Sequence, residues 1–162
     1  MLDCKLVSTP SQNNSNSSFE YRKPVGLLNY VATCTRPDLA YSTSSLSQFL
    51  DSPSDEHGAA FKRILRYLQG TTDYSLVLGG SNLFSTIIGY SDSGWCSNYD
   101  GKSFSGFGVI LGGLISWKTK KQSTASLSTT EAELKGLVEL TQDILWLKKL
   151  LVNLRIEPSV QL

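Results

Sequence analysis

Apolar and polar positions change their period twice along these 162 residues, and the changes divide the chain. From Tyr21 to Leu50, "YRKPVGLLNYVATCTRPDLAYSTSSLSQFL" carries apolar residues at helical spacing. The pattern breaks at "TRPD", where Pro37 suits the first turn of a new helix and Thr35 or Arg36 the end of the last. "SPSDEHGAAFKRILRYLQGTTD" then offers Ser54 as an N-cap, acids in the first turn, bases in the last and Gly70 as a stop. Three short helices are predicted before residue 72.

From about Tyr74 the period shortens. "YSLVLGG", "FSTIIGYSD", "FSGFGVILGG" and "LISWKTKK" are short runs rich in branched and aromatic residues. They read as strands joined by hairpins, with Gly112 and Gly113 as the clearest two-residue turn. Helical spacing returns in "STTEAELKGLVELTQDILWLKKLLVNL" and runs to about Asn153, after which "SVQL" begins at most one further strand. The fold class is α+β, a helical N-terminal segment followed by a β-β-β-α unit. The polar stretch "SQNNSNSSFE" reads as an exposed loop, so the divisions expected are a flexible segment 1–18, a helical part 19–73 and a mixed part 74–162.

Composition narrows the class without naming a function. At 40% apolar and 18% charged residues the chain is neither disordered nor membranous, and no apolar run approaches the roughly 18 residues of a spanning helix. The opening "MLDCKLVSTP" lacks the apolar centre of a signal peptide, so a soluble intracellular protein, not secreted, is expected. Cys4, Cys34 and Cys96 are odd in number and far apart, and read as free thiols. The net charge of +1 argues nothing about nucleic acid. Locally, "WKTKKQ" gathers Lys118, Lys120 and Lys121, either as a basic patch or as lysines protecting an edge strand.

Two carboxylates stand out. Asp92, in "GYSDSGW", follows an apolar run and precedes a glycine, which on these residues alone reads first as a turn residue, with a metal ligand as the alternative. On the last helix, Ser128 and Glu131 form a capping box and Glu131 has Lys135 four residues on, so Glu131 is satisfied as a surface residue. Glu133 instead heads the stripe Leu137, Leu140, Ile144, Leu147 and Leu151, expected to face the sheet. It either aims across the sheet or bends out to water. Two-metal phosphodiester chemistry needs such acids to converge on two Mg²⁺ ions about 4 Å apart.

The order and wording of these motifs resemble a known family. "GYSDSGWCSNYDGKSFSGFGVILGGLISWKTKKQSTASLSTTEAEL" resembles the ribonuclease H domain of copia-type LTR retrotransposon Pol polyproteins. There a Y-[ST]-D-[AS]-[DG]-W stretch precedes an S-W-x-S/T-K-K-Q strand and an S-x-T-E-A-E-Y/L helix. The helical part resembles the tail of the same polyprotein's reverse transcriptase, its thumb and connection region, and the resemblance covers roughly residues 19–162. It implies Mg²⁺-dependent hydrolysis of RNA in RNA–DNA hybrids, with Asp92 and Glu133 as catalytic metal ligands. It also places Lys118, Lys120, Lys121 and Ser128 beside the nucleic-acid backbone, reading shape and sugars rather than sequence. The remainder of the polyprotein is the implied partner, in the cytoplasm, within a virus-like particle, or in the nucleus.

The departures shape the expectation as much as the match. The family's third carboxylate lies in a Y-C-D-N strand after this helix and a fourth lies further on, whereas these residues run to "EPSVQL" and Glu157 matches neither. An incomplete, inactive ribonuclease H-like domain is therefore expected. No Asp-Asp pair occurs, so polymerase activity is not expected either. The alternatives are a non-catalytic module that binds nucleic acid or a partner, and a gene fragment without a function of its own. His57, the lone histidine, has no catalytic partner and is assigned to packing or capping.

Overall fold

The structure, a computed structural model, describes residues 20–79, 86–96 and 100–161. The expected flexible segment 1–18 lies outside the described residues, as do Gly80 and the first two residues of "FSTIIGYSD". The chain divides into two compact units between Ser75 and Leu76.

In the first unit the three predicted helices form, as α1 (Arg22–Cys34), α2 (Ala40–Ser47) and α3 (Asp55–Gly70). Pro24 sits in the first turn of α1, where a missing N–H costs nothing. Val25, Leu28 and Ala32 recur at helical spacing and bury against Leu39, Leu46, Phe61 and Ile64. A 3₁₀ turn, Pro37–Leu39, leads into α2.

"TRPD" does more than turn the chain. Arg36 is buried, and its guanidinium donates to Asp38 through Nε at 3.0 Å and Nη2 at 2.8 Å. It also donates to the Thr71 carbonyl at 3.0 Å and the Thr71 hydroxyl at 2.6 Å, which ties the turn to the end of α3. The rings of Tyr67 and Tyr74 lie 5.6 and 5.7 Å from the guanidinium carbon, in cation–π range. His57 has the capping and packing role expected of it. Its Nδ1 accepts the Ser54 N–H at 2.9 Å, and its ring stacks on Phe49 with centroids 3.9 Å apart.

The second unit is a four-stranded sheet covered by one helix. β1 (Thr86–Gly94), β2 (Phe104–Ile110) and β3 (Leu114–Lys121) follow one another antiparallel, then α4 (Thr129–Asn153) crosses the sheet and β4 (Ser159–Gln161) returns parallel to β1. The strand order is β3-β2-β1-β4. Gly112 and Gly113 both have positive φ and close the β2–β3 hairpin, as read from the sequence. "YSLVLGG" is not a strand: the described residues 74–79 pair with no ladder, and Val77 and Leu78 are exposed. The segment lies against the hairpin at Gly113, and the Gly79 N–H donates to the Gly112 carbonyl, 2.8 Å away.

The stripe of α4 that packs on β1 and β2 is Ala132, Gly136, Leu140, Ile144, Leu147 and Leu151. It starts one residue earlier than the expected stripe headed by Glu133 and Leu137; Glu133 is exposed and Leu137 is 40% exposed. Small residues explain the shift. A Cβ on Gly136 would come within 2.5 Å of the Ser93 hydroxyl, and one on Gly89 within 2.7 Å of Ile144 Cδ1, so helix and strand backbones approach closely. Among the described residues, no helix is long and apolar enough to cross a membrane.

Candidate active site

Asp92 lies inside β1, not in a turn. Its strand partner is Gly106, and the ladder continues through Ser93 opposite Ser105 and Gly94 opposite Phe104 before the chain bends at Cys96, where φ is 49°. Alternation along the strand turns Ile87, Gly89, Ser91 and Ser93 toward α4, and Tyr90 and Asp92 to the opposite face. Because Gly106 has no side chain, the carboxylate of Asp92 stands exposed beside an open patch of sheet.

Glu133 comes to the same strand from the helix. Its Oε1 accepts the backbone N–H of Ser93 at 3.3 Å, so the carboxylate reaches the residue next to Asp92. β4 pairs only with Thr86–Ile88, which leaves this part of β1 without a neighbour on that side among the described residues. The two candidate ligands are thus tied to neighbouring residues of one strand, Asp92 pointing to the face opposite α4 and Glu133 reaching the Ser93 N–H from the helix.

Glu131 is turned outward. Ser128 caps α4 by accepting the Glu131 N–H at 3.2 Å, while Glu131 accepts from the Leu127 N–H at 2.8 Å and pairs with Lys135 at 2.8 Å. The returning bond therefore reaches Leu127 rather than the serine's own amide. The Lys135 ammonium holds the Glu131 carboxyl below the usual carboxylate range.

The lysines of β3 do not share a face. Register places Lys118 opposite Phe107 and Lys120 opposite Ser105, on the α4 side, whereas Lys121 is opposite Phe104 on the Asp92 side. Lys121 is 2.9 Å from Asp100, and this pairing with the Lys102 backbone bond lowers the Asp100 pKa against its burial. Lys118 and Lys120 are exposed. The Ser128 hydroxyl is engaged as the cap of α4.

A buried polar cluster lies behind the two acids, built largely from residues that the quoted motifs contain but that the sequence did not assign to the interior. Gln122, just past β3, donates from Nε2 to the Ser105 hydroxyl at 2.7 Å and to the Ala132 carbonyl at 2.9 Å, and accepts from the Ser126 hydroxyl at 2.9 Å. Ser105 also accepts from Ser93 at 3.1 Å, and Trp95 donates to the Ser126 carbonyl at 3.0 Å. Ser91 adds a buried hydroxyl without a partner among the described residues. The sequence signal was serine at the core-facing positions of β1 and β2, where a closed apolar layer would carry valine or leucine.

Asp92 and Glu133 are hard oxygen donors of the kind Mg²⁺ takes. In number they fall short of a full set: among the described residues no group of three histidine, cysteine, aspartate or glutamate side chains could hold a metal ion.

The chain is 40% identical over 156 residues to the retrovirus-related Pol polyprotein from transposon TNT 1-94 of Nicotiana tabacum. It is 39% identical over 171 residues to that from transposon RE2 of Arabidopsis thaliana. These alignments take in 94% and 98% of the chain. The chain belongs to the retrovirus-related Pol polyproteins of copia-type transposons. It spans about 12% of the length of either Pol relative. A shorter relative, the secreted RxLR effector protein 161 of Plasmopara viticola, is 43% identical over 129 residues, which are 78% of the chain and 90% of that protein. No family model and no solved structure matches.

Proposed function

We propose that the second unit is the first part of a ribonuclease H-type nuclease domain within a Pol polyprotein, and that the first unit is the helical tail of its reverse transcriptase. In this reading Asp92 and Glu133 are metal ligands for hydrolysis of the RNA strand of an RNA–DNA hybrid during reverse transcription, in the cytoplasm or the nucleus. The observation that carries it is the bond from the Ser93 N–H to Glu133, which sets a helix carboxylate beside the strand residue that follows Asp92. When bound, Mg²⁺ would activate the attacking water and stabilise the leaving oxygen. The protein's share is placement: Asp92 is fixed by a paired strand and Glu133 by the first turn of a packed helix.

β4 supports the reading through its register. Ser159 pairs with Thr86 and Gln161 with Ile88, parallel. Four more residues in that register would come beside Asp92, the place where the Y-C-D-N aspartate of the resembled family is needed. Among the described residues two carboxylates, Asp92 and Glu133, are available here, so the 162 residues by themselves are expected to bind Mg²⁺ weakly and leave a hybrid intact. That same shortage favours a second reading for the chain in isolation, a module that binds nucleic acid through Lys118 and Lys120 without cutting it.

The test is cleavage of a labelled hybrid in Mg²⁺ by the 162 residues joined to the rest of their polyprotein. Asp92→Asn and Glu133→Gln should each lower the rate by on the order of 10² or more, the scale of losing a ligand that places charge in the transition state. Undiminished cutting by both variants overturns the assignment; cutting by the 162 residues alone overturns the expectation that they are insufficient.

A further inference from the structure

We propose that Gln122 is a positioning residue for the Glu133 carboxylate, a role that rests on the reading of Glu133 as a metal ligand. The hydrogen bonds behind the site close a ring. Glu133 accepts the Ser93 N–H; the Ser93 hydroxyl donates to Ser105; Ser105 accepts from Gln122; and Gln122 donates to the carbonyl of Ala132, the residue bonded to Glu133. Every side chain of the ring except Glu133 is nine-tenths or more buried, with Gln122 at 6% and Ser105 at 4% exposed. Gln122 bonds both the sheet, at Ser105, and the start of α4, at the Ala132 carbonyl, from outside the helix. It therefore sets where the helix begins relative to β1.

Chemistry explains why an amide is needed here. The two partners of Nε2 are both used as acceptors, and the partner of Oε1, the Ser126 hydroxyl, is a donor. A carboxylate at this place would face two acceptors with no proton to offer, and an apolar residue would orphan all three groups. The backbone adds a fourth tie, because the Gln122 N–H donates to the Ser103 carbonyl at 2.8 Å. Hydrogen bonds between mostly buried groups that close on themselves are stiff, and stiffness is what a ligand held from the second layer requires.

The experiment follows amide signals of the whole 162-residue chain by NMR, with Mn²⁺ alone as the probe ion. Glu133→Gln first defines how far the Ser93 amide moves when its carboxylate acceptor is replaced. Gln122→Ala should shift the Ser93 amide in the same sense and weaken Mn²⁺ broadening at Asp92 by on the order of tenfold in apparent affinity. Leu151→Ala, a core truncation at the far end of α4, should leave both signals in place although it also lowers stability. Ser105→Ala cuts the same ring with less loss of packing and carries the same expectation if Gln122→Ala does not fold. An unmoved Ser93 amide in the folded ring variants, or an equal shift in Leu151→Ala, overturns the proposal. Failure of the ligand reading looks different: Asp92→Asn and Glu133→Gln would then leave Mn²⁺ broadening unchanged while the Ser93 shift in Gln122→Ala persisted.

Discussion

The Glu133 carboxylate and the Ser93 N–H, 3.3 Å apart, join the first turn of α4 to β1 at the residue after Asp92. Glutamine can still accept that bond through its amide oxygen, and alanine cannot. Glu133→Gln is therefore expected to leave stability within about 0.5 kcal/mol of the wild type, while Glu133→Ala costs about 0.5 to 1.5 kcal/mol. Urea denaturation of the two variants checks this. Equal stability for both would mean that the bond contributes nothing to holding the helix.

Gly89 lies under α4, where an added Cβ would come within 2.7 Å of Ile144 Cδ1 and 3.1 Å of both Leu140 methyls. Those side chains belong to the packed core, so the methyl forces Ile144 and Leu140 out of their packed positions. Gly89→Ala is expected to destabilise the second unit by about 1 to 3 kcal/mol, the range of overpacking. A gain in stability on thermal or chemical unfolding would show that the strand and helix can separate at no cost.

The helices and the β2–β3 hairpin were legible from local signals: apolar period throughout, a capping residue at Ser54 and Ser128, and a glycine pair at the turn. The bases expected in the last turn of α3 are absent, and Gly70 is its last residue rather than a cap beyond it. Three other features depend on partners that the sequence does not display. "YSLVLGG" has strand-like composition, yet Val77 and Leu78 are exposed and no neighbouring strand supplies a ladder among the described residues. Asp92 looks like a turn residue because Ser-Gly follows it, but pairing with Ser105 and Phe104 carries the strand two residues further. The stripe of α4 was read from its leucines, whereas its first two members are Ala132 and Gly136, whose value is closeness rather than hydrophobicity. Glu133 was read as the head of that stripe; it lies beside it and is exposed, and its carboxylate meets the sheet at the Ser93 N–H.

Arg36 holds the first unit through a fork that lysine cannot reproduce. Two of its bonds go to Asp38 and two to Thr71, between the rings of Tyr67 and Tyr74. Arg36→Ala leaves Asp38 and the Thr71 carbonyl without this donor and is expected to cost roughly 2 to 4 kcal/mol, discounted because Asp38 is partly exposed. Arg36→Lys keeps the charge but loses the planar fork, and should recover less than half of that loss. Denaturant midpoints of the two variants decide it. Full recovery by lysine would reduce the site to a simple charge pair.

His57 makes the first unit sensitive to mild acid. Burial lowers its pKa from the ordinary 6.5, against the opposing pull of Glu56. Its Nδ1 must be unprotonated to accept the Ser54 N–H. Since the folded pKa lies below the unfolded one, the contribution is complete above 6.5 and falls as the pH drops toward the folded value. Asp38, held below the usual carboxylate range chiefly by Arg36, adds a further loss in more acid solution, once the pH falls below its ordinary 3.8. Stability measured between pH 7 and pH 5 should decline in the wild type and decline less in His57→Gln. Parallel curves would remove His57 as the cause.

Lys118 and Lys120 should carry the salt dependence of any binding to a hybrid duplex, and Lys121 much less. The first two are exposed on the α4 side of the edge strand, while the ammonium of Lys121 lies 2.9 Å from Asp100 on the other face. A phosphate contact made by a lysine releases counterions, so removing one such lysine lowers the log–log salt slope by about 1. Fluorescence anisotropy of a labelled RNA–DNA hybrid, followed over a salt series, should show that decrease for Lys118→Ala and for Lys120→Ala. Lys121→Ala should change the slope by clearly less, because an ammonium already paired with a carboxylate neutralises less phosphate charge and so releases fewer counterions from the duplex. Equal slopes for all three variants would mean that the nucleic acid disregards the face on which each lysine lies, and a slope unchanged in all three would exclude β3 from the interface.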